Sequence, residues 1–323
     1  METISGDRLW ELTDTELARI QDTLERRLRQ AGDTNVVAVG FGAKVKGGRI
    51  RRRGIMAARY LVRRKSLPRQ RIRRVTPQVS VRLRRGNRYI NVVLDTDVEA
   101  CVDASDSGAE VRARSRAATS FVMRWRMTTT SVWSWGVLSV SHAFHGSVAR
   151  HPDIVHNGRR APATLITRTR RNSRLDAALI QVSLADLLNV RILRTGQPLR
   201  SITHRSRAQL MGDASSQRAG KSHRVRGSGF TSFVRFKATD YLPVYRISGI
   251  RREAILRVVQ SRRSAFAPGT SGSGFTIGGR LAALQLGTDD SRNRTGLGQS
   301  IDTLLEWAKK QLRTTRVEIV HVF

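Results

Sequence analysis

The chain has 323 residues, 39% of them hydrophobic, with a formal net charge of +34 from 59 basic and 25 acidic side chains. That apolar content argues against a disordered chain, and the length suffices for one large core or two. No apolar run nears the ~20 residues of a membrane-spanning helix, and Cys101, the only cysteine, rules out an intramolecular disulfide.

The basic excess is of one kind and is localised. All but seven of the basic residues are arginine, and residues 49 to 88 hold 16 basic side chains and no acidic one. A GC-rich coding bias accounts for the choice of arginine. An anionic partner such as nucleic acid, another polyanion or a membrane surface accounts for the excess itself. Only Tyr60 and Tyr89 interleave with the stretch, so base stacking has little support. The alternatives are a generic phosphate-attracting face and a merely solvated one.

In chain order, residues 13 to 31 predict a helix. Thr13 and Glu16 form a capping box, Leu17, Ile20, Leu24 and Leu28 share one face, and Gly32 stops it. A strand over 36 to 45, a turn at Lys46-Gly47-Gly48 and a strand over 56 to 62 follow. Val79, Val81 and Leu83 alternate before Arg85-Gly86-Asn87 and the run 89 to 94, which predicts a hairpin. These elements make a small α+β domain over residues 1 to 102. Residues 103 to 118 are small and polar and predict a linker. From 119 onward short strands alternate with Gly, Ser, Asn and Asp turns. Ser300 then caps a last helix carrying Ile301, Leu304, Leu305, Ala308 and Leu312 at helical spacing, with Glu306 four before Lys310. A short strand is expected after residue 317.

Three segments carry the chemistry. Gly269-Thr270-Ser271-Gly272-Ser273 places a serine between glycines, the setting in which a hydroxyl stands clear on a tight turn and N–H groups converge on an oxyanion. Gly/Ser clusters are commonly plain turns, so the motif gains meaning from the other two. Leu138-Ser139-Val140-Ser141-His142 is an apolar run delivering a histidine at its end, and Asp176-Ala177-Ala178-Leu179 sets an aspartate at the mouth of another. An acid, an imidazole and a hydroxyl within hydrogen-bond reach form a nucleophilic triad, here in the order His, Asp, Ser.

These blocks resemble the corresponding blocks of trypsin-like serine peptidases, over roughly residues 119 to 313. The resemblance implies a mostly β fold, a double six-stranded β-barrel with a C-terminal helix occupying residues 119 to 323. It implies a serine endopeptidase in which Ser271 is the nucleophile, His142 the base and Asp176 its orienting acid. The backbone N–H groups of Gly269 and Ser271 would form the oxyanion hole. Ala265 would floor the specificity pocket, with Leu284 to Gly287, notably Gln285 and Gly287, as its wall. No carboxylate stands at Ala265 or beside it, so a small or medium apolar side chain before the scissile bond is expected. Thr270 replaces the aspartate that captures a freed N-terminal amine in zymogens, so activation by that route is not expected. Ser273 and Ser141 replace small residues without removing a catalytic group. The N-terminal unit, with its Val36-to-Lys44 strand and Thr96-Asp97-Val98, resembles a segment preceding the protease domain in a group of bacterial trypsin-like proteins.

No metal or cofactor is expected, and the partner is a protein or peptide substrate. Cysteine usage and the absence of a basic, apolar leader at Met1 point to a cytoplasmic setting. The alternative function is a catalytically silent protease-fold protein that binds nucleic acid or another polyanion. His145 and Asp153 compete as base and orienting acid, and His156, His204, His223 and His321 are expected to be scattered surface residues. Cys101 is expected to be inert, and Asp289-Asp290 a loop.

Overall fold

A computed structural model describes residues 2–31, 35–46, 49–51, 53–62, 76–100, 105–106, 121–126, 132–144, 152–156, 159–193, 195, 201–225, 231–260, 266, 271–289 and 294–320. The N-terminal segment comprises β1 (Glu2–Ser5), α1 (Asp14–Gln30), β2 (Val36–Ala43), β3 (Val45–Lys46), β4 (Arg49–Ile50), β5 (Met56–Val62), β6 (Gln78–Arg85) and β7 (Arg88–Ala100). A two-residue strand, β8 (Ser105–Asp106), lies in the expected linker. Next come β9 (Phe121–Arg126), β10 (Trp133–Ser139), β11 (Asp153–His156), β12 (Arg159–Pro162), β13 (Thr164–Arg168), β14 (Ala178–Gln181) and α2 (Leu184–Asn189). The remainder holds α3 (Arg207–Ser215), β15 (Ala219–Val225), β16 (Thr231–Ile247), β17 (Ile250–Val259), β18 (Gly274–Ile277), β19 (Arg280–Thr288), β20 (Thr295–Ser300), α4 (Ile301–Leu312) and β21 (Arg316–Val320).

Local chemistry explains the ends of these elements. The Thr13 side chain accepts from the Glu16 N–H while Glu16 reaches back to the Thr13 N–H, which satisfies orphan donors at both positions of α1. Leu17, Ile20 and Leu24 are buried, as their spacing requires. At α4 the helix differs from the expected pattern in two ways. Ser300 stands at the N-cap, but its side chain makes no cap bond, and the negative charge of the first turn comes from Asp302. The ion pair on its outer face joins Glu306 to Lys309, not Lys310, at 2.7 Å.

The architecture is mostly β, as expected. In the second half, β16, β15, β18, β19, β20 and β17 pair in that order, and β17 pairs back with β16, so six strands close on themselves. The first half builds a second set of strands. Its described strands form a five-stranded sheet, β13-β14-β10-β9-β21, beside the hairpin β11–β12. One of those five is the chain's own C-terminus: β21 returns antiparallel along β9, with Ile319 opposite Met123.

The N-terminal strands continue the second sheet, because β2 pairs β16 at Gly42↔Asp240 and Phe41↔Tyr241. Its helix and strands share one apolar cluster with α3, β16 and β17. A buried ladder of charges crosses the same seam. Arg59, 2% exposed, pairs Asp240 at 2.9 Å, Glu99 at 3.0 Å and Asp97 at 3.3 Å. Arg257 then pairs the other Asp240 oxygen at 3.1 Å and Asp289 at 2.6 Å. Asp289 is therefore a fully buried ion-pair partner rather than a plain loop residue, while Asp290 lies outside the described residues. Removing one member would strand an uncompensated charge in the interior.

Candidate active site

The pairing of β10 with β14 builds the first half of the site. The strands run antiparallel with Ser139 opposite Ala178. Where the chain leaves β10, a single 3-10 turn, Ser141–Phe144, begins, and on the facing strand the residues entering β14 are Asp176 and Ala177. Antiparallel continuation sets Ser141 across from Asp176 and brings His142 beside it. Thr169 locks this corner: its carbonyl accepts from the Ser141 hydroxyl at 2.6 Å and its hydroxyl accepts from the Ala177 N–H at 3.1 Å.

The result is a two-point contact. Asp176 Oδ2 lies 2.7 Å from His142 Nδ1, and Asp176 Oδ1 accepts from the His142 backbone N–H at 2.9 Å. Asp176 is fully buried and the His142 side chain is 11% exposed. Burial pushes the Asp176 carboxyl up, but the hydrogen bond from His142 and the charges of His142 and Arg252 outweigh it. The carboxyl is held below its ordinary range. A carboxylate only accepts, so in the neutral imidazole the proton sits on Nδ1 and Nε2 keeps its lone pair.

The second half of the site comes from the closed six-stranded sheet. Ser271 begins the turn into β18, with Gly272 at φ +86°, a conformation that requires glycine at that position. The Gly272 N–H donates to the Gln285 carbonyl, the Gln285 N–H donates to the Ser273 carbonyl, and the Ser271 hydroxyl donates to the Leu286 carbonyl at 3.0 Å. This turn is thus pinned to β19. Two contacts join it to the His142–Asp176 pair. Gln299, opposite Leu284 across β19–β20, accepts from the Asp176 N–H at 2.9 Å. Gly274 sits so close to the Phe121 ring that a Cβ there would lie 1.9 Å from Phe121 Cζ, and Phe121 pairs with Leu138 on the strand leading to His142.

The wall residues Gln285 and Gly287 lie on β19. Gln285 is buried, and Gly287 pairs with Leu297 on one side and with Asp106 of β8 on the other. Gly269 and Ala265 lie outside the described residues, as do Cys101, His145, His321 and much of the arginine-rich stretch. Asp153 is half-exposed on β11, 4.0 Å from Arg160, and is not the partner of His142. His204, read as a scattered surface histidine, has a partner in Asp302 at 3.1 Å. The side chains of His156 and His223 are not described.

Sequence reasoning missed two residues. Gln299 was unmarked in Gly298-Gln299-Ser300. Arg252 was one arginine among many, although the Ser248-Gly249 turn before it, with both residues at positive φ, signals a hairpin that fixes its register.

No protein-family model and no curated protein matches the chain. Among solved structures, a glutamic acid specific serine protease aligns with 68% of this chain and 100% of its own, at 13% identity and a TM-score of 0.42. Thermobifida fusca protease A aligns with 69% of this chain and 99% of its own, at 14% and 0.40. Cellulomonas bogoriensis chymotrypsin aligns with 64% and 96%, at 14% and 0.37. These neighbours are trypsin-like serine proteases. At TM-scores of that size, a reading of the chemistry rests on the side chains of this chain.

Proposed function

We propose that the chain is a serine endopeptidase. The carrying observation is the paired contact of His142 with a buried, ionised Asp176, which leaves Nε2 as the base of the site. Ser271 Oγ attacks the peptide carbonyl and its proton passes to Nε2. The Nδ1–H bond to Asp176 holds the ring in that tautomer and stabilises the imidazolium. The N–H groups of Gly269 and Ser271 receive the oxyanion. The imidazolium then protonates the leaving amine, and water cleaves the acyl-enzyme by the same steps in reverse.

A peptide substrate also needs an edge to lie along, and β19 supports this reading. At Gly287 and Thr288, next to the carbonyl that holds Ser271, β19 accepts an extended antiparallel chain, here the chain's own Ser105–Asp106. Such an edge takes backbone regardless of side chain. Labelling with a fluorophosphonate tests the proposal: one adduct on Ser271 is expected, lost in Ser271→Ala. Native protein that stays unlabelled, or labelling that persists in the variant, refutes it.

A further inference from the structure

Arg252 reaches the site from the other half of the molecule. It stands on β17, opposite Tyr245 across the β16–β17 hairpin, and is 2% exposed. One guanidinium nitrogen donates to the Ser173 carbonyl at 2.8 Å and the Leu175 carbonyl at 3.0 Å. The other donates to Asp176 Oδ2 at 3.1 Å, the same oxygen that faces His142 Nδ1 at 2.7 Å. A permanent cation and the imidazole therefore share one carboxylate oxygen in a buried place.

From this geometry we infer that Arg252 is a positioning residue that fixes Asp176 and keeps His142 in its neutral, proton-accepting form to lower pH than Asp176 alone would allow. The guanidinium already offsets part of the carboxylate's charge, so protonating the imidazole brings a second positive charge to the same oxygen and gains less from it than a carboxylate without Arg252 would give. Among the described residues, Arg174 and Glu253 pair with each other at 3.8 Å. Their backbone carbonyls both accept from the Gln299 side chain, the one whose oxygen holds the Asp176 N–H. The 3-10 turn carrying His142 bears no other charge. Arg252 is thus the cation held on the same carboxylate oxygen as His142.

The catalytic consequence rests on the peptidase reading, but the titration itself does not. Two measurements separate them: the His142 imidazole followed by NMR against pH, and the rate of fluorophosphonate labelling against pH. Both are made on native protein, Arg252→Gln and Arg252→Lys. Removing the charge is expected to raise the His142 midpoint by about one pH unit, an order of magnitude set by two charges sharing one carboxylate at high effective dielectric. The lysine variant is expected to stay within about 0.3 unit, since it keeps the charge. A purely structural role would lower the amplitude of labelling without moving either midpoint. An unchanged or lowered midpoint in Arg252→Gln, or an equal rise in Arg252→Lys, overturns the inference. If Arg252→Gln does not fold, native protein decides: a midpoint below the ordinary value of about 6.5 is expected, and one above about 7 overturns it. Native protein that titrates as expected yet never labels would remove the peptidase reading and leave the role of Arg252 standing.

Discussion

Asp176→Asn perturbs three donors at once. The carboxylate accepts from the His142 N–H on Oδ1, and from both His142 Nδ1 and Arg252 on Oδ2. An asparagine offers one acceptor oxygen and one donor amide. With the oxygen toward Nδ1 and Arg252, its NH2 opposes the backbone N–H of His142. With the amide reversed, the imidazole can adopt the wrong tautomer, but the NH2 now opposes a guanidinium that cannot give up its protons. Neither orientation satisfies the site, and both leave Arg252 buried without a counter-charge. Breaking a buried ion pair from one side costs about 3–5 kcal/mol, so a stability loss of that order is expected from urea unfolding. Turnover, or the second-order labelling rate, should fall by about 10⁴-fold because the base is misoriented or mistautomerised. Both effects are measured on the same preparation, with folding checked by circular dichroism. A variant within about 1 kcal/mol of native stability that labels within about tenfold would refute the argument, since neither the ion pair nor the base would then depend on Asp176.

Glu16 makes a pH-dependent contribution. Its carboxyl is held down to about 2, chiefly by Arg85. Its folded pKa lies below the ordinary 4.5, so its stabilisation is complete above that value and is lost as pH falls toward 2. With Arg85 41% exposed, about 1–2 kcal/mol is expected, read as a native-minus-Glu16→Gln difference in urea midpoint that shrinks from pH 5 to pH 2. A difference constant over that range would discount the pair. Replacing Ser105 and Asp106 together by proline removes the backbone donors of β8, and should speed labelling of Ser271 by about fivefold if β8 competes with substrate for β19. An unchanged or slower rate would mean that the β19 edge is not the substrate strand. The native chain should be retained on heparin at ~50 mM salt, and replacing exposed Arg49, Arg51 and Arg53 by glutamine should lower the salt dependence by about 2–3 counterions. Free passage of native protein through the column would leave the arginine excess as a solvated surface.

The helix Asp14–Gln30 and the strands at 36, 56 and 78 were legible in the chain because periodicity and capping are local properties, settled within a few residues. The mostly β class was legible for the same reason, whereas the pairing of His142 with Asp176 was expected only from the resemblance of their two segments to trypsin-like blocks and needs β10 to pair with β14. Nothing local could show which strands would pair. That the C-terminal strand 316–320 completes the sheet of the first half, and that β2 joins β16, are long-range choices made by packing two-faced strands against distant edges. Charge was the least legible quantity. A count of basic residues treats Arg59, Arg252 and Arg257 like any exposed arginine, yet tertiary structure buries all three against carboxylates from distant segments. Their meaning comes from desolvation, which turns a surface cation into a partner that its carboxylate cannot lose, and desolvation exists only once the chain has folded around them.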